Sequence, residues 1–215
     1  MTIHARALLF DNDGTLVSSL ASVDRCWARW AEEYGVTEEF GKVELHGCPA
    51  VEIVAELLPA DVVPQALARI ETLEVEDVPN GGVHLLPGTK AFLDGLPADR
   101  WAVVTSATRR LAEARLDAVG ILPKTMVTAD DITRGKPDPE PYLLAARELG
   151  VDPAHCVVFE DAPAGLAAGR AAGMTTVALT TTHQAHELDA DLVVNDLSAL
   201  SALVADAGVE ISVRG

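Results

Sequence analysis

Asp11 and Asp13 stand two positions apart at the end of an apolar run, Ala5-Arg6-Ala7-Leu8-Leu9-Phe10, and Gly14 and Thr15 come directly after. The run has the length of a buried strand. A buried parallel strand delivers the residues after it to the carboxyl edge of its sheet, where open α/β sheets bind ligands. In a strict strand the two aspartates point the same way. Two like charges that close need a cation or a shared proton. Either solution suits phosphoryl chemistry, in which one carboxylate attacks phosphorus beside a metal and the other moves a proton. Taken alone, Asn12-Asp13-Gly14 reads equally as a solvated turn.

Three later stretches add to the pair. Thr105-Ser106 closes the apolar run from Trp101. A hydroxyl next to the free N–H groups of a helix start can hold phosphate oxygens, and it can equally be a plain helix cap. Lys136 sits among breakers in Gly135-Lys136-Pro137-Asp138-Pro139. Such a rigid loop can carry an ammonium into a site, where it clamps a phosphate and offsets carboxylates. Glu160-Asp161 closes the apolar run from Cys156 and suits a hard cation such as Mg²⁺, which prefers oxygen ligands.

Residues so far apart in sequence need a scaffold that gathers strand ends along one edge. Strand-like runs at 101–105, 126–128, 156–159, 176–179 and 192–194 alternate with helical patterns that stop at Gly120, Gly150 and Gly173. This alternation predicts an α/β fold, a Rossmann-like parallel sheet with helices on both faces. Between residues 16 and 85 the pattern differs. Leu20, Val23, Trp27, Trp30 and Tyr34 step by three and four, as do apolar residues in 51–58 and 63–73, which is helical spacing without a convincing strand. The expected organisation is therefore an α/β core of residues 1–17 and 87–215 with a helical insert of residues 18–86. An insert placed after the first strand's loop stands above the carboxyl edge, where it can act as a lid. Trp27 and Trp30 read as packing residues, and Ser18 or Ser19 as the cap of the first helix.

The 215 residues are 49% hydrophobic and 23% charged, enough for one ordered core. A formal net charge of -17 argues against nucleic acid or an anionic membrane as partner. Any phosphate site must then supply its own local positive charge. Cys26, Cys48 and Cys156 lack metal-type spacing and read as reduced thiols of a cytoplasmic protein. Neither a basic-then-apolar leader nor an apolar run of about 18 residues is seen, so no secretion signal or membrane span is expected.

The order acid pair, hydroxyl, lysine, acid pair is more specific than any of its parts. Phe10-Asp11-Asn12-Asp13-Gly14-Thr15-Leu16, Val104-Thr105-Ser106, Gly135-Lys136-Pro137 and Phe159-Glu160-Asp161-Ala162-Pro163-Ala164-Gly165 resemble the four motifs of the haloacid dehalogenase-like hydrolases. The resemblance covers nearly the whole chain. Within that superfamily the stretches from Trp101, Gly135 and Glu160 are similar to sugar-phosphate and glycerol-3-phosphate phosphatases, including the 2-deoxyglucose-6-phosphate type. The helical insert matches the family's small helical cap. The resemblance implies that Asp11 is the nucleophile and forms an aspartyl-phosphate. It implies that Asp13 protonates the leaving alcohol and then deprotonates the attacking water. Mg²⁺ would be held by Asp11, the backbone carbonyl of Asp13 and Asp161, with Glu160 bound directly or through water. Thr105 or Ser106, with Lys136, would bind the phosphoryl group. In the cap, Leu45-His46-Gly47 resembles the substrate-facing stretch of the sugar phosphatases, which makes His46 a candidate for a substrate hydroxyl; Glu74 is a second. Two positions depart from the family: Asn12 replaces an apolar residue, and Ser18 stands where many members have Asp.

The expected activity is thus a Mg²⁺-dependent phosphatase of a small sugar or polyol phosphate, acting on a small phosphorylated metabolite as a monomer or small homo-oligomer. The alternative is a phosphosugar mutase of the same fold. A related mutase would carry a basic residue just after the cap glycine, and here Cys48-Pro49 comes after Gly47. A non-enzymatic protein that binds a phosphate ligand in the same pocket is the third reading.

Overall fold

A computed structural model of the chain describes residues 2–43, 45, 50–205 and 208–214. The chain opens with β1 (Thr2–Ala5) and β2 (Ala7–Phe10), then β3 (Val17–Ser18). Four helices come next: α1 (Leu20–Tyr34), α2 (Thr37–Phe40), α3 (Ala50–Leu57) and α4 (Val63–Asp77). Strand β4 (His84–Leu85) then leads to α5 (Thr89–Leu93), β5 (Trp101–Val104), α6 (Arg109–Ala118) and β6 (Met126–Val127). The chain continues through α7 (Glu140–Leu149), β7 (Cys156–Glu160), α8 (Pro163–Ala171), β8 (Thr175–Leu179) and β9 (Leu192–Val194). It ends with β10 (Leu200–Ala205) and β11 (Gly208–Val213).

Six strands form the expected parallel sheet in the order β6-β5-β2-β7-β8-β9. Strand β2 lies between β5 and β7, so the first acid pair emerges in the middle of the sheet. Alternation along β2 separates two layers. Leu8 and Phe10 join Phe92, Trp101, Leu116 and Phe159 on one face. Ala7 and Leu9 join Tyr142, Ala145 and Ala168 on the other. All four residues of β2 are fully buried, which is why the strand reads as an unbroken apolar run.

Two features depart from the sequence reading. The run 5–10 is not one strand: it breaks at Arg6, and β1 leaves the main sheet to pair antiparallel with β11, which also pairs with β10. The sheet of β8 and β9 is therefore not the end of the β-structure. In addition, β3 pairs with β4, Val17 opposite Leu85 and Ser18 opposite His84. This short ladder ties together the entry and exit of the helical segment. Helices α1, α3 and α4 share an apolar cluster of their own, with Trp27, Trp30, Ile53, Val54, Ile70 and Leu73 buried in it. Both tryptophans are packing residues, and the Trp30 indole N–H donates to Ala66 O at 3.0 Å. No helix among the described residues is long and apolar enough to cross a membrane.

Candidate active site

The sheet fixes where each reactive group stands. Asp11 comes directly after β2, and its N–H donates to Phe159 O at 3.0 Å. Glu160 is the last residue of β7, with Asp161 just beyond it. Lys136, joined to Pro137 by a cis peptide bond, comes from the loop before α7. Its ammonium donates to Asp11 Oδ1 at 2.6 Å, Glu160 Oε1 at 2.6 Å and Val104 O at 3.0 Å. These three bonds use all of its donors. Glu160 is held from every side. Its Oε1 also accepts from the Tyr142 hydroxyl at 2.9 Å, and its Oε2 accepts from the N–H groups of Asp161 (3.1 Å) and Ala162 (3.2 Å). Asp161 accepts from the Thr15 hydroxyl at 3.3 Å and from the Thr182 hydroxyl.

Two glycines leave the room this packing needs. Gly14 has φ +88°, and a Cβ there would overlap the Asp161 carboxylate. A Cβ on Gly165 would overlap Glu160 Oε1. Carboxylate oxygens of Asp11, Glu160 and Asp161 lie within 4.8 Å of one another, with one ammonium among them. Burial raises the Asp11 carboxyl well above its usual range, and the charges of Glu160 and Asp161 add to this against the pull of Lys136. Burial and then Glu160 push Asp161 up to about 7. Burial works to lower the Lys136 ammonium, but Asp11 and Glu160 overcome it and raise it. One ammonium cannot neutralise three buried carboxylates, so the oxygen-only donor set fits a hard divalent cation.

Asp13 faces a different set of partners. Its Oδ1 accepts from the Ser19 hydroxyl at 2.7 Å, and its Oδ2 accepts from the Asn12 amide at 3.2 Å. The same Oδ2 is 3.0 Å from Arg115 Nη1. Ser19, expected as a possible helix cap, thus starts α1 without a capping hydrogen bond, because its hydroxyl is spent on Asp13. Glu74 lies on α4 with its Oε1 3.2 Å from Arg115 Nη2. Burial raises the Glu74 carboxyl, against the lowering effect of Arg115. Thr105 is buried, its Oγ1 accepting from the Ala107 N–H at 3.1 Å, while Ser106 is exposed. The cap of α6 is instead Thr108, which accepts from the Leu111 N–H. His46 lies outside the described residues.

Residues 5–173 match the model of the haloacid dehalogenase-like hydrolases. The chain belongs to that family. It is 37% identical over 207 residues to hexitol phosphatase A of Escherichia coli K12, covering 93% of this chain and 94% of that protein. It is 34% identical over 225 residues to 2-deoxyglucose-6-phosphate phosphatase 1 of Saccharomyces cerevisiae, covering 91% and 89%. Among solved structures, a hydrolase from Pseudomonas syringae superposes with a TM-score of 0.76 at 23% identity, covering 90% of this chain and 94% of that one. As a member of this haloacid dehalogenase-like family the chain is an enzyme, a phosphatase.

Sequence reasoning missed Arg115 and Tyr142. Both sit on helices among apolar neighbours. Arg115 lies on the buried face of α6 with Leu111, Ala112 and Leu116. A charged residue four positions after a buried leucine was the available signal.

Proposed function

We propose that the chain hydrolyses the phosphate monoester of a small sugar or polyol through an aspartyl-phosphate on Asp11. The observation that carries this reading is the Lys136 ammonium bonded to both Asp11 and Glu160 at the carboxyl edge of the central strand. The relatives whose names specify hexitol and 2-deoxyglucose phosphates support the substrate class.

In the first step an Asp11 carboxylate oxygen forms a bond to phosphorus as the phosphorus–alcohol oxygen bond breaks. Asp13 gives its proton to the leaving oxygen. In the second step a water oxygen bonds to phosphorus, Asp13 takes that water's proton, and the bond from Asp11 to phosphorus breaks to release phosphate. The Thr105 hydroxyl binds a phosphoryl oxygen, and the Lys136 ammonium does so by exchanging its bond to Asp11 Oδ1 for one to the phosphoryl group, with Ser106 beside them at the exposed rim. The carboxylates of Asp11 and Asp161, with the Asp13 carbonyl, would hold Mg²⁺, and Glu160 would bind it directly or through water. When bound, the ion supplies charge neutralisation for the transferring group. Helices α1–α4 act as the lid that keeps bulk water out during the first step.

The test is phosphate release from hexitol, hexose and deoxyhexose phosphates, glycerol 3-phosphate, phosphoglycolate and nucleotides, with Mg²⁺ and with EDTA. We expect metal-dependent release with a preference among sugar or polyol phosphates, and a loss of at least about 1,000-fold in Asp11→Asn. Undiminished activity in Asp11→Asn would exclude the covalent route. Isomerisation of a hexose 1-phosphate without free phosphate, given a trace of bisphosphate, would make the chain a mutase.

A further inference from the structure

Arg115 is the one buried arginine among the described residues, 5% exposed, and neither step of the proposed hydrolysis uses it. It lies between two carboxylates from different parts of the chain. Nη1 is 3.0 Å from Asp13 Oδ2, in the loop after β2, and Nη2 is 3.2 Å from Glu74 Oε1, on α4 of the helical segment. Its Nε has no hydrogen-bond partner, so these two carboxylates supply its side-chain partners. A buried guanidinium with one partner removed is a costly uncompensated charge. Its fork is also rigid, so fixing one end orients the other. A second contact closes the same seam: the Thr108 hydroxyl, at the start of α6, donates to Glu71 Oε1 at 2.8 Å. Both Glu71 and Glu74 project from one face of α4 onto α6.

We propose that Arg115 is a positioning residue for Asp13, and that Glu74 makes this positioning depend on the seating of α4 against the core. This rests on the reading of Asp13 as the group that moves the proton. Asp13 sits in a loop, and its side chain is 28% exposed. Without Arg115 the ties on its carboxylate would be the Ser19 hydroxyl and the neighbouring Asn12 amide. A single charged anchor through a rigid fork removes most of that remaining freedom. Because Glu74 belongs to the helical segment, displacing α4 strips the guanidinium of its second partner. Proton delivery is then efficient only while the segment is seated.

The experiment separates proton transfer from phosphoryl transfer. Release of the leaving group in the first turnover is measured with enzyme in excess. The substrates are p-nitrophenyl phosphate, whose leaving group needs no proton, and whichever sugar or polyol phosphate the wild type hydrolyses fastest. In Arg115→Met, alcohol release is expected to fall about 100-fold, with nitrophenolate release within about threefold of wild type. Arg115→Lys should recover part of the alcohol rate, and Glu74→Gln should slow alcohol release several-fold while leaving nitrophenolate release unchanged. Equal slowing with both leaving groups, in variants whose melting temperatures match wild type, would overturn the proposal. So would unchanged alcohol release. If Arg115→Met does not fold, the same comparison in Arg115→Lys and Glu74→Gln decides. A wild type that releases neither leaving group would instead refute the phosphatase reading on which the proposal rests.

Discussion

A Cβ at residue 165 would occupy the space of Glu160 Oε1. Glu160 is held there by Lys136, Tyr142 and two backbone N–H groups. Gly165→Ala therefore forces the carboxylate off its partners rather than the backbone out of place. Alanine suits a helix better than glycine, and α8 itself should tolerate the change. We expect activity to fall about 100-fold, as displacements near 1 Å do in such sites, and the melting temperature to fall as well, because Lys136 and Tyr142 lose a buried partner. Loss of fold alongside loss of activity would show that Glu160 cannot move alone. Glu160, Asp11, Asp161 and Lys136 were all legible in the sequence, because each stands at the end of an apolar strand or among rigid breakers. Arg115 was hidden because a stripe read for apolar residues passes over a buried charge whose partners lie far away in sequence.

At the scale of elements, α1 and α4 are joined by more than apolar contact. Trp30 is fully buried and bonded to Ala66 O, and the Arg69 guanidinium donates to Glu33 at 2.6 and 2.7 Å. Their apolar cluster is distinct from the two that flank the sheet. Trp30→Ala should therefore loosen this segment, by about 3–5 kcal/mol, without loosening the sheet. Amide hydrogen exchange would show it: lost protection in α1 and α4, with β2, β5 and β7 unchanged. Equal loss in both regions would mean that the chain opens as one cooperative unit. The sequence marked these helices well because their apolar residues recur at steps of three and four, with Trp27, Trp30 and Tyr34 in the stripe of α1. It marked β10 and β11 poorly. Leu-Ser-Ala-Leu-Val-Ala fits a helix as readily as a strand, and β1, the strand that completes their sheet, lies at the far end of the chain.

At the scale of the whole molecule, the charge of -17 and the buried acidic cluster act in the same direction. Asp161 titrates near 7 in the folded chain, against about 4 when unfolded. The folded state thus binds this proton more tightly. The stabilisation it brings is fully present below about pH 4 and is lost as pH rises through 7. Metal-free protein should accordingly lose about 5 °C or more of melting temperature between pH 5 and 7.5. General surface repulsion also grows over that range, so Asp161→Asn serves as the control: its melting temperature should fall less. A divalent cation competes with the proton for the same oxygens. Mg²⁺ should therefore raise the melting temperature of the wild type more at pH 7.5 than at pH 5, and the Asn variant should lose most of that difference. An equal shift at both pH values, or in both proteins, would place the bound ion away from Asp161. The same cluster that weakens the metal-free fold at neutral pH would then have another means of neutralisation, and Lys136 would be the group to examine.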